Sequence, residues 1–447
     1  MIIEEVVVGS FVPHTEAQIE RMLAEVGLAS LEELYASIPA SLRLGRPLEL
    51  PPALAEVEVL EEAERRSRRN AGARRDLVVF AGGGAYDHDV PSAVRALALQ
   101  SAFVTAYTPY QPEVSQGVLQ ALFEFQTSIA RLFGMDLANA SLYDGAAAVV
   151  EAVNLAVGAT KRNRIVVSQG IHPRYRGALA TLGRGRGLEL VSVGLRDDLA
   201  TDLAAVDAEA SALVIGYPNA LGRVEDLREA RRVADAMEAL LVVVADPVAC
   251  ALLEPPGSFG ADVVVAEGQS LGIPLSFGGP YLGLFATRSE LVRLVPGRLV
   301  GQTVDVEGRR GFVTTLRTRE QDIRRERATS NVCTNQTLLA IWAGVYLAWR
   351  GKQGMVELAR SCYNAAHYLA DRLEAAGLSV LGRPFVREFV VDLEVEARPV
   401  RERLLEDGWL AGVLVPEEPT WLVLTATEAR TREEIDAFVD RIAKEVR

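Results

Sequence analysis

Between residues 164 and 267 the chain repeats one pattern, a short run of β-branched and aliphatic residues followed by a longer helical stretch. The runs are Arg164-Ile165-Val166-Val167-Ser168, Leu190-Val191-Ser192-Val193, Ala212-Leu213-Val214-Ile215-Gly216, Leu240 to Ala245 and Val263-Val264-Val265-Ala266. Runs so short and so uniformly apolar fit strands buried on both faces rather than strands with one wet side. Joined by helical stretches such as Leu227 to Glu238, they specify an α/β domain: a large, mainly parallel sheet with helices on both faces.

The flanks differ from this centre. Up to about Ser67 the pattern is of short helices with breaks: Thr15 caps a run through Ile19, Met22 and Val26, Ser30-Leu31-Glu32-Glu33 is a second cap signal, and Pro47, Pro51 and Pro52 precede a helical run from Leu54 to Arg69. After the sheet, a long helix from Thr334 to Trp349 is expected. Beyond it come a helix from Glu357 to Ala375, strands at Ser379-Val380-Leu381, Phe389 to Leu393 and Trp421 to Leu424, a helix from Val400 to Glu406 and a final helix from Arg432. The expected organisation is an N-terminal helical arm (1–70), a large α/β domain (71–325), and an interdomain helix with a small α+β domain (326–447).

Composition removes several function classes. The formal charge of −13 repels nucleic acid and anionic membrane. The densest basic cluster, Arg65-Arg66-Ser67-Arg68-Arg69 with Arg74-Arg75, follows Glu58, Glu61, Glu62 and Glu64 and reads as a solvated helix face. Cys250, Cys333 and Cys362 have neither disulfide nor metal spacing, and four scattered histidines disfavour zinc. The start Met1-Ile2-Ile3-Glu4-Glu5 is acidic, without the marks of a signal or transit peptide, and no apolar run is long enough to span a membrane, so the cytoplasm is the expected location. Lysine occurs only at Lys161, Lys352 and Lys444.

In an open parallel sheet ligands sit beyond the carboxyl ends of the strands, and four stretches stand there. Leu142-Tyr143-Asp144-Gly145 opens a helix; a helix start can cradle a phosphate, but Asp144 reads more simply as an N-cap. His172, in Gln169-Gly170-Ile171-His172-Pro173, could stack on a flat ring or be an ordinary loop histidine. Asp246 follows the strand ending at Ala245; it could hold a pyridinium nitrogen protonated or cap the next turn. Glu267-Gly268-Gln269-Ser270-Leu271-Gly272 lies where a pyridoxal enzyme would carry its Schiff-base lysine, near Ser270, and no lysine is present.

Longer blocks carry a resemblance. Val12-Pro13-His14-Thr15-Glu16, Ile38-Pro39, Ala85-Tyr86-Asp87-His88-Asp89-Val90-Pro91, Thr105-Ala106-Tyr107-Thr108-Pro109-Tyr110-Gln111-Pro112-Glu113-Val114-Ser115-Gln116-Gly117, Gly134 to Ser141, Pro274 to Pro280 and Thr329-Ser330-Asn331-Val332-Cys333-Thr334 are similar to the P-protein family of the glycine cleavage system, in its N-terminal half or separate first subunit. The resemblance covers nearly the whole chain. It implies the fold of type I pyridoxal-phosphate-dependent transferases and a role as the half of a glycine dehydrogenase (decarboxylating) that lacks the lysine. A second, lysine-bearing subunit would hold pyridoxal phosphate covalently in an α2β2 tetramer. The complex, an oxidoreductase acting on a CH–NH2 donor with a disulfide acceptor, would decarboxylate glycine and pass the aminomethyl group to the lipoyl arm of the H-protein; this chain would be inactive alone.

The resemblance also implies site residues. Thr329, Ser330 and Asn331 stand where fold relatives reach across the interface to a neighbour's cofactor phosphate, unless Ser330 simply caps the helix that follows. Tyr107, Tyr110 and Gln111 are candidates to line the partner's site. His172 and Asp246 occupy the family's ring-stacking and pyridinium-pairing positions, vestigial beside Asp144 and without a lysine, and no catalytic residue is expected in the chain's own pocket. Two other readings stand beside this one: a cofactor-free regulatory or scaffold homodimer, and an independent pyridoxal enzyme, which the lysine count opposes.

Overall fold

The computed structural model describes residues 13–46, 48–104, 107–206 and 209–447. The stretch Met1 to Glu5 and Val12, Pro47, Thr105 and Ala106, used above, lie outside the described residues. The chain divides into two compact units, 1–70 and 71–447.

The first unit carries helices α1 (Glu16–Glu25) and α2 (Glu56–Ser67) with two short 3-10 turns between them. Thr15 is the N-cap of α1, and the Gln18 side chain reaches back to accept from its N–H at 2.8 Å. The basic cluster is a solvated helix face: Arg66 and Arg68 pair with Glu62 and Glu64 one turn earlier, each at 2.6 Å, and Arg65 also pairs with Glu62. Among the unit's described residues only Leu23 is buried.

The second unit is built on seven strands: β1 (Leu137–Ala138), β2 (Arg164–Ser168), β3 (Glu189–Val193), β4 (Ala212–Tyr217), β5 (Leu240–Ala245), β6 (Val263–Glu267) and β7 (Gly283–Thr287). Their order is β1-β7-β6-β5-β4-β2-β3. Strands β2 to β6 are parallel; β7 alone runs against its neighbours, antiparallel to both β6 and β1. Every residue of β4, β6 and β7 is buried, but β3, at the edge of the sheet, buries only Val193, so the run Leu190–Val193 is not the fully buried strand its composition suggests. One face packs on α3 (Gln116–Phe133) through Leu119, Leu122, Phe125 and Ile129, and the other on α4 (Gly145–Thr160) through Val149, Val153 and Ala156. Gly134 closes α3 in the left-handed conformation at φ 68°, which glycine adopts without strain. Helix α5 (Pro173–Arg184) follows β2, and strands β8 (Leu299–Val304) and β9 (Arg310–Thr315) form an antiparallel hairpin.

The two helices expected on either side of residue 353 are one, α6 (Thr337–Ala375), broken only at Gly351 with φ 62° and ψ 178°. It begins three residues later than the pattern suggests, because Thr334 and Asn335 are bound elsewhere: Arg298 donates to both side chains, and Asn335 Nδ2 donates to the Ala140 carbonyl at 2.7 Å. The far half of α6 and α7 (Arg432–Val446) cover an antiparallel sheet of β10 (Ser379–Leu381), β11 (Glu388–Asp392), β12 (Val413–Leu414) and β13 (Trp421–Thr425), ordered β10-β11-β13-β12. Leu369, Leu373, Phe389, Leu424 and Phe438 form the core between them.

Candidate functional site

The carboxyl ends of β2, β4, β5 and β6 open on a cleft, where a sheet of this kind takes ligands. His172, just past β2, lines it and serves as the N-cap of α5, its Nδ1 accepting from the Arg174 N–H at 3.2 Å. Burial, with Arg174 and Arg176 adding to it, pushes its pKa down to about 4, so the ring is neutral near pH 7. Asp246, just past β5, caps the following turn by accepting from the Val248 N–H at 2.9 Å.

Asp246 has a stronger partner across the cleft. Arg387 donates from Nε to Oδ2 at 2.6 Å and from Nη2 to Oδ1 at 2.7 Å, a bidentate fork. The Arg387 side chain is 1% exposed and its guanidinium lies 3.7 Å from the centroid of the Tyr86 ring. Its Nη1 donates to His88 Nε2 at 2.7 Å, so His88 carries its proton on Nδ1 and donates to Glu428 at 2.9 Å. Burial alone would raise the Glu428 carboxyl, but His88, the Asp89 N–H and Cys362 hold it down to about 2. A buried relay thus runs from the large sheet into the small one: Asp246, Arg387, His88, Glu428.

The start of α4 is closed in the same way. Asp144 is its N-cap, accepting from the Ala147 N–H at 2.7 Å. Glu267, the last residue of β6, accepts from the Gly145 N–H at 2.9 Å and from the Gln269 and Leu282 N–H groups at 3.0 Å. Burial pushes Glu267 up to about 7 in spite of these bonds, with Asp144 adding to it. Tyr175 stands against the same helix start; a Cβ on Gly145 would strike its hydroxyl.

Three features bear on whether this pocket suits pyridoxal phosphate, and all three oppose it. Both oxygens of Asp246 are taken by Arg387, leaving no lone carboxylate to pair with a pyridinium. The free N–H and positive dipole end of α4, which a phosphate needs, face two carboxylates. Just past the end of β6, where the sequence leads one to expect a Schiff-base lysine, stand Gln269 and Ser270, and the Gln269 amide is committed to the Tyr86 carbonyl at 3.0 Å, the Ile273 carbonyl at 2.7 Å and the Tyr86 N–H at 2.7 Å. Lys161, Lys352 and Lys444 are all exposed, on helix termini or faces away from the strand ends. The residues present do not fit the cofactor.

The cross-interface candidates lie elsewhere. Ser330 turns inward, its hydroxyl accepting from the Val332 N–H at 3.1 Å and lying near enough to Glu151 to favour that carboxyl's charged form against its burial. The Thr329 carbonyl accepts from Arg186 at 2.9 Å, and its methyl group faces Gly158. Asn331 points outward and is exposed. Tyr107 and Tyr110 are 73% and 62% exposed, Gln111 is exposed, and the Arg298 guanidinium stands over the Tyr110 ring at 5.8 Å. His172 and Asp246 therefore share one cleft, and the 107–111 and 329–331 segments are not part of it.

Arg387, Glu388 and Tyr175 escaped the sequence reading. Glu388 accepts from the Tyr86 hydroxyl and the Gly83 N–H, each at 2.7 Å, and burial raises its carboxyl above the usual range. A signal existed: Arg387-Glu388 is a charged pair inside the apolar run Phe385 to Leu393, and charge in a buried strand demands a partner.

Comparison with known proteins agrees with this architecture. Residues 9–442 match the family model described as glycine cleavage system P-protein. The chain is 48% identical over 440 residues to the probable glycine dehydrogenase (decarboxylating) subunit 1 of Moorella thermoacetica, covering 96% of this chain and 98% of that one. The protein of the same name from Thermomicrobium roseum is 49% identical over 443 residues, covering 97% and 98%. A crystal structure of glycine decarboxylase (P-protein) of the glycine cleavage system, in inhibitor-bound form, superposes with a TM-score of 0.90 at 45% identity, covering 98% of this chain and 100% of that one.

Proposed function

The chain belongs to the glycine cleavage system P-protein family, with the fold of type I pyridoxal-phosphate-dependent enzymes, and from that premise we propose that it is the lysine-lacking subunit of a two-subunit glycine decarboxylase. The observation that carries this reading is that the cleft's polar groups are already committed to one another. Where a working chain needs a free carboxylate, a phosphate-binding helix start and an amine, this one has an Asp246–Arg387 pair, a carboxylate cap and a committed glutamine. Three separate positions closed against one cofactor point to a site whose chemistry lies in another chain. A lysine-bearing second subunit holds pyridoxal phosphate, two copies of each chain form the complex, and the aminomethyl product passes to the lipoyl arm of the H-protein. This chain completes the partner's site and the interface.

Within that assembly Thr329 and Asn331 act toward the partner's cofactor phosphate, with Ser330 fixing the turn between them through its bond from the Val332 N–H. Tyr107, Tyr110 and Gln111, exposed side chains on one short segment, line the partner's site. Two large exposed aromatic rings this close in sequence suit an interface better than solvent.

The test is to prepare the chain alone and with its partner, and to follow Schiff-base absorbance and glycine-dependent exchange of carbon dioxide. Neither signal is expected from this chain alone, and both from the pair. Schiff-base formation by this chain alone, or full activity of the partner alone, sinks the reading; a stable cofactor-free homodimer that ignores the partner points to the scaffold role instead.

A further inference from the structure

A second cleft is lined by Tyr110, Arg298, Arg317, Glu320, Asp322 and Cys333 among others. Arg298 is 7% exposed, and it spends three of the five N–H groups of a guanidinium on neutral acceptors. Nη1 donates to the Asn335 side-chain carbonyl at 2.8 Å and to the Thr334 hydroxyl at 3.4 Å, and Nη2 donates to the Cys333 carbonyl at 3.1 Å. Nε and one N–H of Nη2 are left. Nε makes no hydrogen bond among the described residues and is not sealed from water, so it opens on the cleft. The three inward bonds hold the guanidinium in place, and it stands over the Tyr110 ring at 5.8 Å.

The neighbouring charges leave Arg298 over. Arg317 pairs with Asp322 at 3.3 Å. Among the cations around Glu320, the one that acts on it most is Arg319, its neighbour in sequence. Among the described residues no carboxylate pairs with Arg298. A guanidinium this buried is costly without a counter-charge, and a guest that brings one is favoured. One charge and two spare N–H groups suit the two oxygens of a carboxylate, whereas a phosphate dianion brings one charge too many.

We propose that the Arg298 cleft is a binding site for a carboxylate group, held by Nε and the spare N–H of Nη2. The carboxylate is that of glycine or of an acidic side chain on the partner subunit. The site stands on this chain's residues alone; whose carboxylate fills it rests on the reading above. Cys333 supplies a reporter, since it lines the same cleft and is exposed, whereas Cys250 and Cys362 are buried.

The probes are iodoacetate and iodoacetamide, which present a carboxylate and a neutral amide in the same place. The rate of each at Cys333 is read by peptide mass on the full chain. Iodoacetate labelling is expected to saturate, with an iodoacetate-to-iodoacetamide ratio about tenfold or more above that of the urea-unfolded chain. Acetate should slow it and acetamide should not. Arg298→Gln should return the ratio to the unfolded value, and Arg298→Lys, which keeps the charge and loses the fork, should restore it only in part. Equal ratios in the folded and unfolded chain, or labelling that acetate leaves untouched, overturns the site. The acetate competition is read on the unaltered chain, so it decides even where Arg298→Gln does not fold. In a second arm the chain is paired with its lysine-bearing partner. Protection of Cys333 by glycine, lost in Arg298→Gln, assigns the carboxylate to the substrate. Closure of Cys333 to both reagents, with at least about fivefold weaker assembly in Arg298→Gln, assigns it to a partner side chain. Labelling that pairing and glycine both leave unchanged removes both roles and keeps a site for free carboxylates. Failure of the pair to form strikes the subunit reading, while the first arm still decides the site.

Discussion

Replacing Arg387 by methionine removes the group that pairs with Asp246 in the cleft, and the structure sets the size of the effect. The side chain is 1% exposed and Asp246 13% exposed, so the pair is desolvated and largely unscreened. Breaking such a pair from one side leaves a buried carboxylate without its partner, a loss of roughly 3–5 kcal/mol. Two features favour the lower end. Asp246 keeps its bond from the Val248 N–H, and it lines the open cleft, where water can reach it. The lost contact with the Tyr86 ring at 3.7 Å adds to the damage, so about 3 kcal/mol is the working figure. The assay is equilibrium denaturation of the chain, comparing Arg387→Met, Asp246→Asn and the double variant. The double variant should recover roughly 2 kcal/mol relative to the sum of the singles, since it leaves no unpaired charge. A single-variant loss below about 1 kcal/mol, or strictly additive losses, would refute the idea that the pair seals the pocket.

Four further outcomes follow from the same geometry. Glu267 is raised to about 7, so its contribution to stability is present below about pH 4.5 and is lost as pH rises through 7, while Glu428, held at about 2, contributes above 4.5 and loses that contribution as pH falls toward 2. Denaturation midpoints across this range should lose their neutral slope in Glu267→Gln and their acid slope in Glu428→Gln; unchanged slopes would remove those assignments. Gly222 has φ +88° and its Cβ would strike the Glu388 carbonyl, so Gly222→Ala should lose at least about 2 kcal/mol on urea unfolding, and a neutral result contradicts the close approach. Gln269→Lys should give no Schiff-base absorbance with pyridoxal phosphate, because Arg387 and Glu267 still block ring and phosphate; a new band near the usual wavelength disproves the closed pocket. Thr329→Ala with Asn331→Ala should speed cofactor loss from the paired complex, measured by gel filtration and absorbance, and an unaltered loss rate ends their proposed role.

The strands were legible because their message is local, a short apolar run between helical stretches, although the run at Leu190–Val193 proved to be an edge strand with one side wet. Asp144 was legible for the same reason, since an N-cap is satisfied by a residue three positions on. Helix α6 was read as two because Arg350-Gly351-Lys352-Gln353-Gly354 interrupts the apolar period; the structure keeps both halves in one helix across a single backbone change at Gly351. Asp246 was left open between pyridinium partner and turn cap because its decisive neighbour is 141 residues away. No local pattern encodes that distance.

The fork between Arg387 and Asp246 is also an alignment device. Two parallel bonds to a planar carboxylate are satisfied in one orientation only, so the strand end bearing Asp246 and the strand start bearing Arg387 cannot rotate past each other without losing both. Helix α6 spans the same two layers, packing on α3 at one end and on the small sheet at the other. Its first turn continues from the segment holding Thr329, Asn331 and Cys333. Rocking of the small sheet would swing that segment through the lever of the helix. The Asp246–Arg387 pair thus acts as a bolt between the two sheets, and the surface offered outward is held still by it.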